Sequence, residues 1–72
     1  MSNSNKKSNP PIVRIGDIVA TTRSIFGLPE GSIGMVVEMG DNLVCRIEFF
    51  GDVAGRKTKR VNRFNLRIVQ RA

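Results

Sequence analysis

Over most of residues 12–52, apolar and polar positions alternate in steps of two, the period of a half-buried strand rather than of a helix. The first segment with this character is residues 13–22, where Ile15 and a Gly16-Asp17 bend lead into the short, largely β-branched run Ile18, Val19, Ala20, Thr21 and Thr22. Residues 23–32 contain Gly27, Pro29 and Gly31 and are a loop by composition. Ile33, Met35, Val37 and Met39 then alternate with Gly34, Val36, Glu38 and Gly40, which predicts a second strand with the first four residues on its buried face. Gly40-Asp41-Asn42 supplies turn chemistry. A third strand follows, with Leu43, Cys45, Ile47 and Phe49 toward the core and Val44, Arg46, Glu48 and Phe50 on the other side, so the two form an antiparallel hairpin.

Residues 51–55 read as another loop, and two readings compete beyond it. Arg60, Arg63, Arg67 and Arg71 recur at helical spacing opposite Val61, Phe64 and Ile68, as in an amphipathic basic helix. Thr58, Val61, Asn62, Asn65, Ile68 and Val69 are mediocre or poor helix formers, however, and neither an N-cap nor a C-cap glycine frames the stretch. The preferred expectation is a strand over residues 57–61, a 3₁₀ turn over 62–65 and a last strand over 66–70. At the other end, residues 2–9 are only Ser, Asn and Lys, with nothing to bury in exchange for the entropy of ordering, and Pro10-Pro11 stiffens the exit. The expectation is a disordered tail over residues 1–11 and one small β-barrel domain over 12–72.

This layout is all-β: five short strands, a long first loop, a tight hairpin and one turn before the last strand. It resembles a five-stranded Src-homology-3-like small barrel. Gly16-Asp17-Ile18-Val19, Ile33-Gly34-Met35-Val36-Val37 and Val44-Cys45-Arg46-Ile47-Glu48-Phe49 are similar to segments shared by several such families. One is the KOW-type domain of ribosomal and transcription-elongation proteins, a resemblance that implies contact with RNA or the ribosome. The other is the small ferredoxin-docking barrel protein of photosystem I, which the chain also resembles through Arg14-Ile15-Gly16, Asn62-Arg63-Phe64 and Leu66-Arg67-Ile68-Val69-Gln70. That likeness implies a basic surface docking an acidic ferredoxin, with Arg46 at the matching strand position. Where that family carries an aromatic cluster in the first loop, this chain has Ser24-Ile25-Phe26-Gly27, and it contains no Tyr or Trp.

Charge sharpens the reading. Seven of the twelve basic residues fall in residues 56–71, and no acidic residue lies beyond Asp52. The first fifty-two residues carry five basic and six acidic side chains, so the net +6 is a charge asymmetry rather than a uniform coating. Ordinary surfaces mix their signs, so the cluster Arg56, Lys57, Lys59, Arg60, Arg63, Arg67 and Arg71, with Arg46, is the candidate binding surface for an anionic partner. Phe26, in a glycine-flanked loop, and Phe50, opposite Phe49 on its strand, are candidates to stack on bases; Phe49 and Phe64 are expected in the core.

Catalysis finds little material. The chain has no histidine and one cysteine, and its six scattered carboxylates do not assemble by spacing into acid–base or metal-ligand sets. Cys45 alternates with Leu43 and Ile47 and is expected to be a buried, inert thiol. Asp17, Asp41 and Asp52 lie beside glycines, ordinary turn usage, and Glu30 is expected to be exposed. Seventy-two residues leave little room for a deep cavity. Neither a cofactor nor a metal is expected. The lone cysteine and the lack of a long apolar run point to a cytoplasmic setting without membrane insertion. The expected function is that of a non-enzymatic binding module for nucleic acid, RNA or a ribonucleoprotein. The alternatives are a small peripheral component of a protein complex that docks an acidic protein, or an oligomer pairing the basic surface with the acidic loops around Glu30, Asp41 and Asp52.

Overall fold

β-branched residues and period-two patterning favour strands over much of the described chain. A computed structural model describes residues 11–41, 43–51 and 58–72. Its strands are β1 (Ile18–Thr21), β2 (Ile33–Met39), β3 (Val44–Phe49), β4 (Thr58–Asn62) and β5 (Leu66–Gln70), with a 3₁₀ turn, Arg63–Asn65, between the last two. All neighbours are antiparallel, in the order β4-β3-β2-β1-β5. Among the described residues there is no α-helix, so residues 58–70 take the strand–turn–strand course rather than the helical one. The tail expected over residues 1–11 lies, apart from Pro11, outside the described residues, as do residue 42 of the expected turn, residues 52–55 of the second loop and residue 57 of the expected fourth strand.

The core lies on one face of this sheet. Val19, Val36, Cys45, Ile47, Phe49, Val61 and Leu66 are buried there, with Val13 from the lead-in segment. Burying each aliphatic side chain contributes roughly 1.5–3 kcal/mol. Ile25 and Leu28 of the first loop and Ile68 of β5 pack against the same cluster. The alternation expected of β3 holds for Cys45, Ile47 and Phe49, while Leu43 sits in the turn before the strand and is exposed.

Three expectations are corrected. The first strand is shorter than residues 13–22: residues 14–17 form a turn, with the Asp17 amide donating to the Arg14 carbonyl at 3.0 Å, and pairing begins at Ile18. In β2 the buried face is Gly34 and Val36, not Ile33, Met35, Val37 and Met39. The cause is Gly34, opposite Phe49. A Cβ there would come within 2.6 Å of the Ile47 Cγ2 and 2.7 Å of the Glu48 carbonyl oxygen, so Gly34 is the position that lets β2 approach β3 over the core. A bulge between Val36 and Glu38 then shifts the register. Finally, Phe64 is not core but 51% exposed. The slot at that end of the sheet is filled by Val61 and Leu66, and the Asn62 side chain caps the 3₁₀ turn by accepting from the Phe64 amide at 2.9 Å.

Candidate functional site

The hairpin register sets the first cluster. Arg46 on β3 lies directly opposite Arg60 on β4, both on the face turned away from the core. Like charges in opposed cross-strand positions are destabilising. One carboxylate tempers the pair: Glu38 of β2 sits opposite Arg46 and its Oε1 is 3.0 Å from the Arg46 Nε. Arg46, Arg60, Glu38 and Asp41 border a shallow depression of about 100 Å³, with Gly40, Val44 and Cys45 forming the remainder of its wall. Arg60 therefore sits among charges of both signs, on a strand at the end of the sheet order.

Lys59, next to Arg60, alternates to the opposite face, across from Ile47, where the first loop meets it. The tip of that loop is residues 25–28. The Ile25 amide donates to the Leu28 carbonyl at 3.1 Å and the Leu28 amide to the Ile25 carbonyl at 2.7 Å, closing a two-residue hairpin. Its central residues, Phe26 and Gly27, have φ of +53° and +78°. This is the geometry of a type I′ turn, which favours Asn or Gly at its first central position. For a residue with a Cβ the left-handed region costs about 1–2 kcal/mol. Ile25 and Leu28 face the core from either side, so Phe26 is held at the tip, 56% exposed, with the Lys59 Nζ 5.6 Å from its ring centroid.

The loop is fastened at its far end by Thr21. Its buried hydroxyl accepts from the Gly31 and Ser32 amides at 3.0 and 3.1 Å and lies 3.2 Å from the Pro29 carbonyl, to which it donates. The 3₁₀ turn closes the same end, because the Thr22 amide donates to the Asn65 carbonyl and the Arg63 amide to the Leu43 carbonyl. The side-chain oxygen of Asn62 is engaged by this turn.

The remaining candidates disperse. Arg63 lies half-buried in the 3₁₀ turn, and Arg67 is exposed on β5 opposite Ala20. Arg71 is anchored: its Nη1 donates to the Ile12 carbonyl at 3.0 Å and lies 3.8 Å from the Asp17 Oδ2. Phe50 is exposed, as expected, and its amide donates to the Ile33 carbonyl. Glu30 is exposed. Arg56, Lys57 and Asp52 lie outside the described residues.

Asp17 carries a part that turn usage does not suggest. It is 1% exposed and accepts from the Arg14 amide at 2.9 Å and the Ala72 amide at 2.8 Å. The Ala72 and Arg14 hydrogen bonds, aided by the charges of Arg71 and Arg14, hold its carboxyl below the ordinary range despite burial. The Ala72 partner is remote in sequence, so no local pattern announces it.

Cys45 is fully buried, with its Sγ 3.9 Å from the Val61 carbonyl; burial pushes the thiol pKa up, opposed in part by the charge of Arg63. Among the described residues there is no group of three His, Cys, Asp or Glu able to hold a metal ion. Nor, among them, is any helix long and apolar enough to cross a membrane. The described site holds cations at Arg46, Lys59, Arg60 and Arg67 and exposed rings at Phe26, Phe50 and Phe64. No family model matches this chain, and neither a curated protein nor a solved structure does.

Proposed function

We propose that this chain is a Src-homology-3-like small barrel that binds nucleic acid, RNA in particular, through phosphate contacts made by the cations of β3, β4 and β5. The observation that carries the reading is the cross-strand register of Arg46 and Arg60, which sets two guanidinium side chains on one outward face where an anion can meet both. The charge asymmetry supports it, since residues 53–72 contain seven cations and no carboxylate side chain.

Chain length supports closure of the sheet. In a flat five-stranded sheet, strands at the two ends of the order would lie about 19 Å apart, four spacings of about 4.8 Å. β4 and β5 occupy those ends, yet only the three-residue 3₁₀ turn joins them. At about 2 Å rise per residue the turn spans only about 6 Å. So short a link favours a curled sheet, which brings the cations of β4 and β5 toward one another.

Fluorescence anisotropy with single-stranded RNA, duplex DNA and heparin across a salt series tests the reading. The expected outcome is micromolar or tighter binding to nucleic acid, in preference to heparin, with a log-log salt slope worth several phosphates. Arg60→Gln lowers the affinity and the slope without lowering thermal stability, because it also removes the like-charge pair. Equal binding to all three polyanions, or none at physiological salt, refutes it.

A second reading, docking of an acidic protein, draws support from Ile12 and Ile15, which are 68% and 60% exposed; Arg71 binds the Ile12 carbonyl. Apolar anchors beside a cation suit a protein surface better than a phosphate backbone. On that reading bulk RNA does not compete, and Ile15→Ser abolishes capture of the partner.

A further inference from the structure

The first loop spends conformational strain on showing an aromatic ring. Of the described residues other than glycine, Phe26 alone has a positive φ, and it occupies the turn position where Asn would sit at ease. Two core contacts, Ile25 and Leu28, and two mutual backbone hydrogen bonds keep that tip in place. A ring used for packing would be turned inward; this one is 56% exposed and carries an ammonium 5.6 Å from its centroid. Strain that persists because its surroundings over-determine it is found where a side chain serves a ligand.

Resting on the nucleic-acid reading above, we infer that Phe26 and Lys59 form a single-nucleotide site, the ring stacking on an unpaired base and the ammonium taking the adjoining phosphate, so that the protein selects single strands over duplexes. Lys59 addresses one side of the ring, and the exposed remainder is surface on which a base can lie. Every base has a π-face, so the site is tolerant of sequence. A duplex hides those faces in its own stack and offers Phe26 nothing, while its phosphates still reach the arginines. The charge asymmetry alone would favour the duplex, whose phosphates are more densely spaced. Preference for the single strand is therefore a signature of the ring and not of the patch.

The test compares the full chain with Phe26→Asn and Phe26→Leu. Asparagine relieves the left-handed strain and leucine keeps the apolar bulk, and both remove the π-face while leaving Lys59 in place. Anisotropy is read with a twelve-nucleotide polyuridine and with a hairpin duplex of equal phosphate number. Stacking of one base is worth roughly five- to a hundred-fold in affinity. Both variants should lose at least five-fold on polyuridine, stay within two-fold on the duplex and keep the wild-type salt slope. Phe26→Asn should in addition melt at a higher temperature than wild type, which separates lost binding from lost folding. If both variants bind polyuridine as the wild type does, or lose equally on both nucleic acids, the single-nucleotide site is overturned while the phosphate reading stands. If the wild type binds neither, both fall together.

Discussion

Asp17 and Thr21 are the buried polar side chains among the described residues, and each ties separate segments of this small domain together by hydrogen bonds. Asp17 ties the lead-in segment to the chain end through the Arg14 and Ala72 amides, and its depressed pKa has a consequence for stability. A carboxyl whose folded-state pKa lies below its unfolded value stabilises the fold fully above the unfolded value, about 3.9 for Asp, and loses that contribution as pH falls from there through the folded value. Thermal melting from pH 7 to pH 2 should therefore show wild type weakening below about pH 4. Asp17→Asn should start from a lower melting temperature at pH 7, since a neutral amide accepts those amides less strongly, and should fall less steeply in acid. Thr21→Val removes a hydroxyl that serves the Gly31 and Ser32 amides. It should cost about 1–3 kcal/mol by urea denaturation, while Thr21→Ser, which keeps the oxygen, should cost less.

Strands separate what the pattern carries from what it does not. β3 is readable because Cys45, Ile47 and Phe49 alternate with polar or mixed residues, and β5 because its poor helix formers outweigh the helical spacing of the arginines. β2 misleads for a physical reason: it is apolar on both faces, and period alone cannot choose between Val36 and Val37. The choice is made by Gly34, whose missing side chain admits the Ile47 methyl and the β3 backbone. Phe64 misleads because its size suggests burial, whereas the Asn62 cap orients the turn so that Leu66 takes the interior position. The Phe26–Lys59 contact lies beyond the pattern altogether, since it joins a loop tip to a strand that follows two others. Gly34→Ala tests the account of β2. Two of the three nearest atoms to its added methyl are backbone and unable to rotate away, so overpacking should cost about 1–3 kcal/mol, read as a lower urea midpoint with an unchanged slope.

At the scale of the whole molecule, charge and topology combine. Glu38 and Glu48 ride on β2 and β3, in the middle of the sheet order, while Lys59, Arg60, Arg63 and Arg67 ride on the last two strands and the turn between them. Laid flat, the sheet would hold Arg60 and Arg67 on opposite margins with the acids between. On the proposed barrel they approach from either side of the short 3₁₀ turn and serve one bound strand. Arg71 is already committed to Asp17 and Ile12 and should contribute little. Four phosphate contacts on single-stranded RNA correspond to a log-log salt slope of about −2.8, hence about a fifty-fold loss of affinity between 50 and 200 mM salt. Arg60→Gln and Arg67→Gln should each make the slope shallower by about 0.7, and the double variant by about 1.4, while Arg71→Gln leaves it unchanged. A response to Arg60→Gln with none to Arg67→Gln would mean that β4 and β5 do not share a ligand, and would count against the barrel as the shape of the binding surface.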